Sequence, residues 1–153
     1  MEKRTIEKYK SMKVVEDCFV ADDGSIFSTE EECTKYERLC KKLDSMETAR
    51  YGRPLDCDYN EDDWKFRWFL VQNEEDLKAL EGYYGDLSDF AKEILSDRLV
   101  CIAEPDDYRA HLAINRFCHP IDVSVFTVAG QVAMVTDFLK MLRYEVCIKK
   151  KQD

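Results

Sequence analysis

The segment Trp64 to Val71, WKFRWFLV, constrains the fold more than any other. Trp64, Phe66, Trp68 and Leu70 alternate with Lys65, Arg67, Phe69 and Val71. The first half reads as a one-faced strand, the second half as an interior strand apolar on both sides. Such a strand needs cover on both faces, so the chain must build a sheet and lay other elements on it. With 153 residues, 45% of them hydrophobic, it can do so without a metal or disulfide staple. Asn73 then caps a helix through Asp76, with Leu77, Leu80 and Tyr84 on one side and Gly82 and Gly85 at its end. A second helix over about 88–97 shows Phe90, Ala91, Ile94 and Leu95. Leu99 to Ala103, LVCIA, is a short buried strand stopped by Pro105.

The N-terminal part predicts a hairpin and a helix. Val14, Val15, Cys18, Phe19 and Val20 are β-prone, and Asp22-Asp23-Gly24 is a turn signal. Ser25-Ile26-Phe27 returns as the second strand. Ser28 or Thr29 is the N-cap of a helix reaching about Glu47, because each has Glu three residues on. Cys33, Tyr36, Cys40 and Leu43, with Leu39 beside them, form its buried stripe, and Lys35, Glu37, Arg38, Lys41 and Lys42 its solvent face. Residues 108–115 fit a strand or a short helix. Ile121, Val123 and Val125 alternate before a last helix, about Thr127 to Tyr144, with Val128, Val132, Val135, Leu139 and Leu142 in one stripe. The fold class is α+β: an N-terminal β-hairpin plus helix, then a small mixed sheet packed with about three helices. The expected division is a hairpin-helix module over 1–50, an acidic linker over 51–63 and an α+β domain over 64–153.

Charge is unevenly spread. The net charge is −9, yet residues 51–107 alone carry −10, and residues 108–153 carry +3. That middle segment repels phosphate, which argues against direct nucleic-acid binding, and its field favours a basic partner surface. No apolar run approaches 18 residues, and the charged start lacks the apolar core of a secretory signal, so a cytoplasmic protein is expected. The seven cysteines are odd in number and contain no CxxC pair, which reads as reduced thiols. Cys33 and Cys40 lie two helical turns apart, about 10 Å, too far for one tetrahedral metal. The two histidines, His111 and His119, come with no nucleophile elbow, and no glycine-rich phosphate loop occurs. Asp56, Asp58, Glu61, Asp62 and Asp63 lack the spacing, glycine and closing glutamate of a calcium loop. Neither metal, cofactor nor catalytic residue is assigned.

Phe19 to Glu37, FVADDGSIFSTEEECTKYE, resembles a module of small phage or mobile-element proteins of Gram-positive bacteria. Asp23-Gly24, Phe27, Thr29, Glu31-Glu32-Cys33 and Tyr36-Glu37 match its pattern. Trp68 to Gly85 is similar to the aromatic strand, Asn cap and Leu-rich helix that often follow. The resemblance covers about 37 residues and implies context. Small acidic proteins of that origin include inhibitors of host defence nucleases, anti-CRISPR proteins among them, some of which present carboxylates in place of phosphates. The expectation is therefore a non-enzymatic interaction protein of a phage or mobile element, acting in the bacterial cytoplasm. Its partner would be a host protein with a basic surface, a CRISPR effector nuclease among the candidates. The expected binding face comprises Asp56, Asp58, Glu61, Asp62, Asp63, Glu74, Glu75 and Asp76. The alternatives are a phage accessory or homo-oligomeric structural protein, and a small enzyme with an unrecognised site.

Overall fold

The computed structural model describes residues 1–9, 13–49, 51–55, 57–60, 63–105 and 123–149. Residues 108–115, Cys118, His111, His119 and Ile121 lie outside them, as do Asp56, Glu61 and Asp62 of the expected binding face. The chain is α+β, as its patterning predicts. Strands β1 (Glu2–Tyr9), β2 (Lys13–Val20) and β3 (Ile26–Phe27) form one antiparallel sheet in that order. The expected hairpin is present as β2–β3, with Phe19 opposite Phe27. A further strand, β1, pairs with β2 along its whole length, from Glu2 opposite Val20 to Tyr9 opposite Lys13. Its charged sequence carries no apolar signature, so only the pairing reveals it.

The β2–β3 turn closes through backbone bonds between Ala21 and both Gly24 and Ser25. Gly24 sits at φ +89°, where a side chain is strained, and Asp23 accepts from the Ser25 N–H. Thr29 then caps α1 (Glu30–Met46), its hydroxyl oxygen accepting from the Glu32 N–H at 3.2 Å. Of the expected stripe, Cys33 and Leu43 are buried, as is Met46, and Tyr36, Leu39 and Cys40 are partly buried. Glu37 and Lys42, expected on the solvent face, are only partly exposed, because each engages an ion pair.

The second sheet is antiparallel in each of its pairings, in the order β4 (Glu47–Thr48), β5 (Trp64–Leu70), β6 (Leu99–Pro105), β7 (Ser124–Thr127). β5 is interior, as its composition predicts. Phe69, Val71, Val100 and Ile102 share a core with Leu43 and Met46 of α1, with α2 (Glu74–Tyr84) and with α3 (Ala91–Asp97). The boundary expected at residue 50 therefore runs through a packed unit. α1 and α2 are antiparallel: Lys42 pairs with Asp76, and Tyr36 stacks on Tyr83.

The other face of β5 carries Trp64, Phe66 and Trp68, and the expected linker covers it. Trp68 Nε1 donates to the Gly52 carbonyl at 2.6 Å, Tyr51 lies on Trp68, and Tyr59 stacks on Trp64 with centroids 4.1 Å apart. The described part of 51–63 is thus a strap with Pro54 and Cys57 buried. The aromatic rings of β5 need cover, and this loop is the chain that supplies it.

α4 (Val128–Met141) begins as expected, with Thr127 accepting from the Gly130 N–H. The Thr127 hydroxyl also donates to Glu93 at 2.5 Å, and Asp97 accepts from the Ala129 N–H, which ties α4 to α3. Of its expected stripe, Val128, Val135 and Leu139 are half-buried. No residue of α4 is buried, and Val132 and Leu142 are exposed.

Candidate partner-binding surfaces

The described members of the expected acidic face do not form one surface. Asp58 and Asp63 are exposed, and Asp63 accepts from Asn60 Nδ2 at 3.3 Å in the turn entering β5. Glu74 and Glu75 are exposed in the first turn of α2, favourably placed at the positive end of its dipole. The seven-residue strand β5 separates the two pairs, about 20 Å at 3.3 Å per residue. Asp76 is corrected outright: it is 4% exposed. Its carboxylate accepts from the Gln72 N–H at 2.9 Å and pairs with Lys42 Nζ at 2.6 Å. Burial opposes its ionisation, but Lys42 and the Gln72 amide win and hold the carboxyl below the usual range. A carboxylate so committed caps the helix and offers nothing to a partner.

The structure instead gathers carboxylates from a turn and a helix face that lie apart in the sequence. Asp22 and Asp23 of the β2–β3 turn and Glu37 and Asp44 of α1 line a cleft of about 170 Å³ with Tyr36, Cys40 and Lys41. Tyr36 sets its depth, donating its hydroxyl to Asp23 Oδ2 at 2.7 Å, and burial raises that phenol's pKa. The amino group of Met1 lies 3.5 Å from both Asp22 and Glu37, which raise its pKa. Glu37 Oε1 is buried, with the Met1 amino group 3.5 Å from it. The spacing of Asp22 to Glu37, 15 residues across a turn and two helical turns, hides this convergence in the sequence.

A larger cavity, about 440 Å³, opens between the strap, the sheet and α4. Tyr51, Pro54 and Leu55 form one wall, Trp68 and Leu99 the floor, and Val128, Val132 and Val135 the other wall. Gln131 spans its edge, its Oε1 accepting from the Leu55 N–H at 2.6 Å. The cavity is apolar because the stripe of α4 faces it across open space.

A third cluster is buried in the core. Arg67, expected on a polar face, is 7% exposed and donates to Glu47 through Nε at 3.1 Å and Nη2 at 2.7 Å. Its Nη1 donates to Tyr84 Oη at 3.1 Å, and Tyr84 donates to Glu104 Oε2 at 2.7 Å. Burial opposes the charge of Arg67, but Glu47, Tyr84 and Glu104 raise its pKa overall. The same burial, with Glu104 beside it, raises that of Tyr84. This network joins β4, β5, β6 and α2, and Asp44 of α1, 3.5 Å from Arg67 Nη2, links it to the acidic cleft. Among the described residues no three His, Cys, Asp or Glu side chains converge as metal ligands, and no helix is long and apolar enough to cross a membrane. No protein-family model, curated protein or solved structure matches the chain.

Proposed function

We propose that the protein is a non-enzymatic interaction protein that acts by stoichiometric binding to a partner with a basic surface. The observation that carries this reading is the cleft of Asp22, Asp23, Glu37 and Asp44, which already holds an amino group against two carboxylates. A lysine or arginine side chain of a partner matches that chemistry. The resemblance of residues 19–37 to phage and mobile-element modules supports the context. It makes a nucleic-acid-binding nuclease of bacterial immunity the target class, a CRISPR effector included.

The test compares the protein with a variant carrying Asp22→Asn, Asp44→Asn, Glu74→Gln and Glu75→Gln, all exposed positions. Both are immobilised, a bacterial host lysate is passed over them, and bound proteins are eluted with rising salt. A specific partner released below about 0.5 M salt, and lost on the variant, is expected, because exposed charge pairs are screened over about 10 Å at 0.1 M. Equal capture on both columns would end the reading. Unaltered thermal midpoints would show that the variant is folded.

A further inference from the structure

Among the described residues, α4 and the residues after it form the most exposed apolar surface. Phe138 is 58% exposed, Met141 79% and Tyr144 63%, and Val132, Leu142 and Ile148 are also exposed. These six side chains leave on the order of 600 Å² in water, and Tyr51 and Leu55 on the groove wall leave about 200 Å² more. The largest apolar patch of an ordinary monomer is about 300–600 Å², and a standard interface takes about 800 Å² from each partner.

Three features select a second copy of this chain as what covers it. The area is what a stable dimer needs. The surface also carries both a hollow and the side chains to fill one: Val135 walls the groove, and Phe138 and Met141, each three residues on, step around the helix to its open side. A two-fold axis brings the projecting side of one copy to the hollow of the other, each contact made twice. Finally, charge permits it. Over residues 128–148 the charges are Asp137, Lys140, Arg143 and Glu145, net zero on a chain of −9. A surface without net charge lets two copies approach, whereas the acidic surfaces elsewhere keep them apart.

We propose that the protein is a homodimer assembled by two-fold packing of α4 and its groove against the same surface of a second copy. This does not depend on the basic-partner reading, and salt distinguishes them, since an apolar neutral interface persists at 0.5 M sodium chloride.

Sedimentation velocity from about 1 to 100 µM, in 0.05 and 0.5 M sodium chloride, tests it. A species of twice 18.0 kDa is expected at both salts, with a thermal midpoint that rises with protein concentration. Phe138→Asp and Met141→Lys, at positions open to water in the single copy, should each raise the dissociation constant at least about tenfold and leave the circular dichroism spectrum intact. Tyr144→Asp, outside the helix, gives the same readout where a helix variant folds poorly. A wild-type protein monomeric at 100 µM would overturn the proposal, also if its groove took up an apolar dye. So would a dimer indifferent to all three variants.

Discussion

Replacing Arg67 with Met keeps the aliphatic stem and removes the guanidinium. The loss can be assembled from its contacts. The two bonds to Glu47 and the ion pair to Asp44 at 3.5 Å reach side chains 36% and 61% exposed, so water recovers part of those pairs. The larger part lies inside. Glu104, with a side chain 5% exposed, loses the guanidinium 3.8 Å away, and Tyr84 loses a donor at 3.1 Å. Breaking a buried pair by deleting one partner costs about 3–5 kcal/mol, most of it the stranded charge. Against a total stability of about 5–15 kcal/mol, that is a large fraction. The thermal midpoint should fall by about 6–15 °C, and the urea midpoint by about 1–3 M. The double variant Arg67→Met with Glu104→Gln should recover at least about 1 kcal/mol, because the stranded carboxylate is gone while an oxygen remains to accept from Tyr84. Urea unfolding of the three proteins at pH 7 measures these differences. A single-variant loss under about 1 kcal/mol, or no recovery in the double variant, would refute the reasoning that this network is a charge-compensated part of the core.

Asp76→Asn should flatten the acid limb of stability. The carboxyl's folded pKa is lowered, so its contribution is complete above the unfolded value near 4 and disappears as pH falls through the folded value; unfolding free energies from pH 2 to 7 should show wild type losing stability below pH 4 more steeply than the variant. Thr29→Ala removes the acceptor for the Glu32 N–H and should cost about 1 kcal/mol in the same assay, with the β2–β3 hairpin signals of a proton–nitrogen correlation spectrum unmoved. Burial and the neighbouring Cys57 push the Cys101 thiol up to about 12. At pH 8 a disulfide reagent should therefore label exposed Cys147 first and Cys101 only on unfolding, as mapped by peptide mass spectrometry.

What could be read from the sequence is what neighbours in the chain decide. The Gly24 turn, the Thr29 and Asn73 caps and the Thr127 start of α4 each rest on hydrogen bonds spanning two to four residues, so residue type and spacing suffice. The strand character of 64–70 and 99–105 follows from composition in the same way. Periodicity also showed which side chains share a face, as along α1. It could not say which face would find a partner. Arg67 faces the core because Asp44, Glu47, Tyr84 and Glu104 arrive from four other elements to neutralise and bond it. The described part of the loop 51–60 became a strap because bonds such as Leu55 to Gln131, 76 residues apart, hold it over the aromatic face of β5. Asp22, Glu37 and Asp44 became one cleft only when the turn folded onto α1. The stripe of α4, apolar and correctly spaced, stands open across a cavity. Local geometry sets the direction of a side chain relative to its own element, whereas burial and charge compensation depend on where distant elements come to rest, and only the tertiary structure decides that.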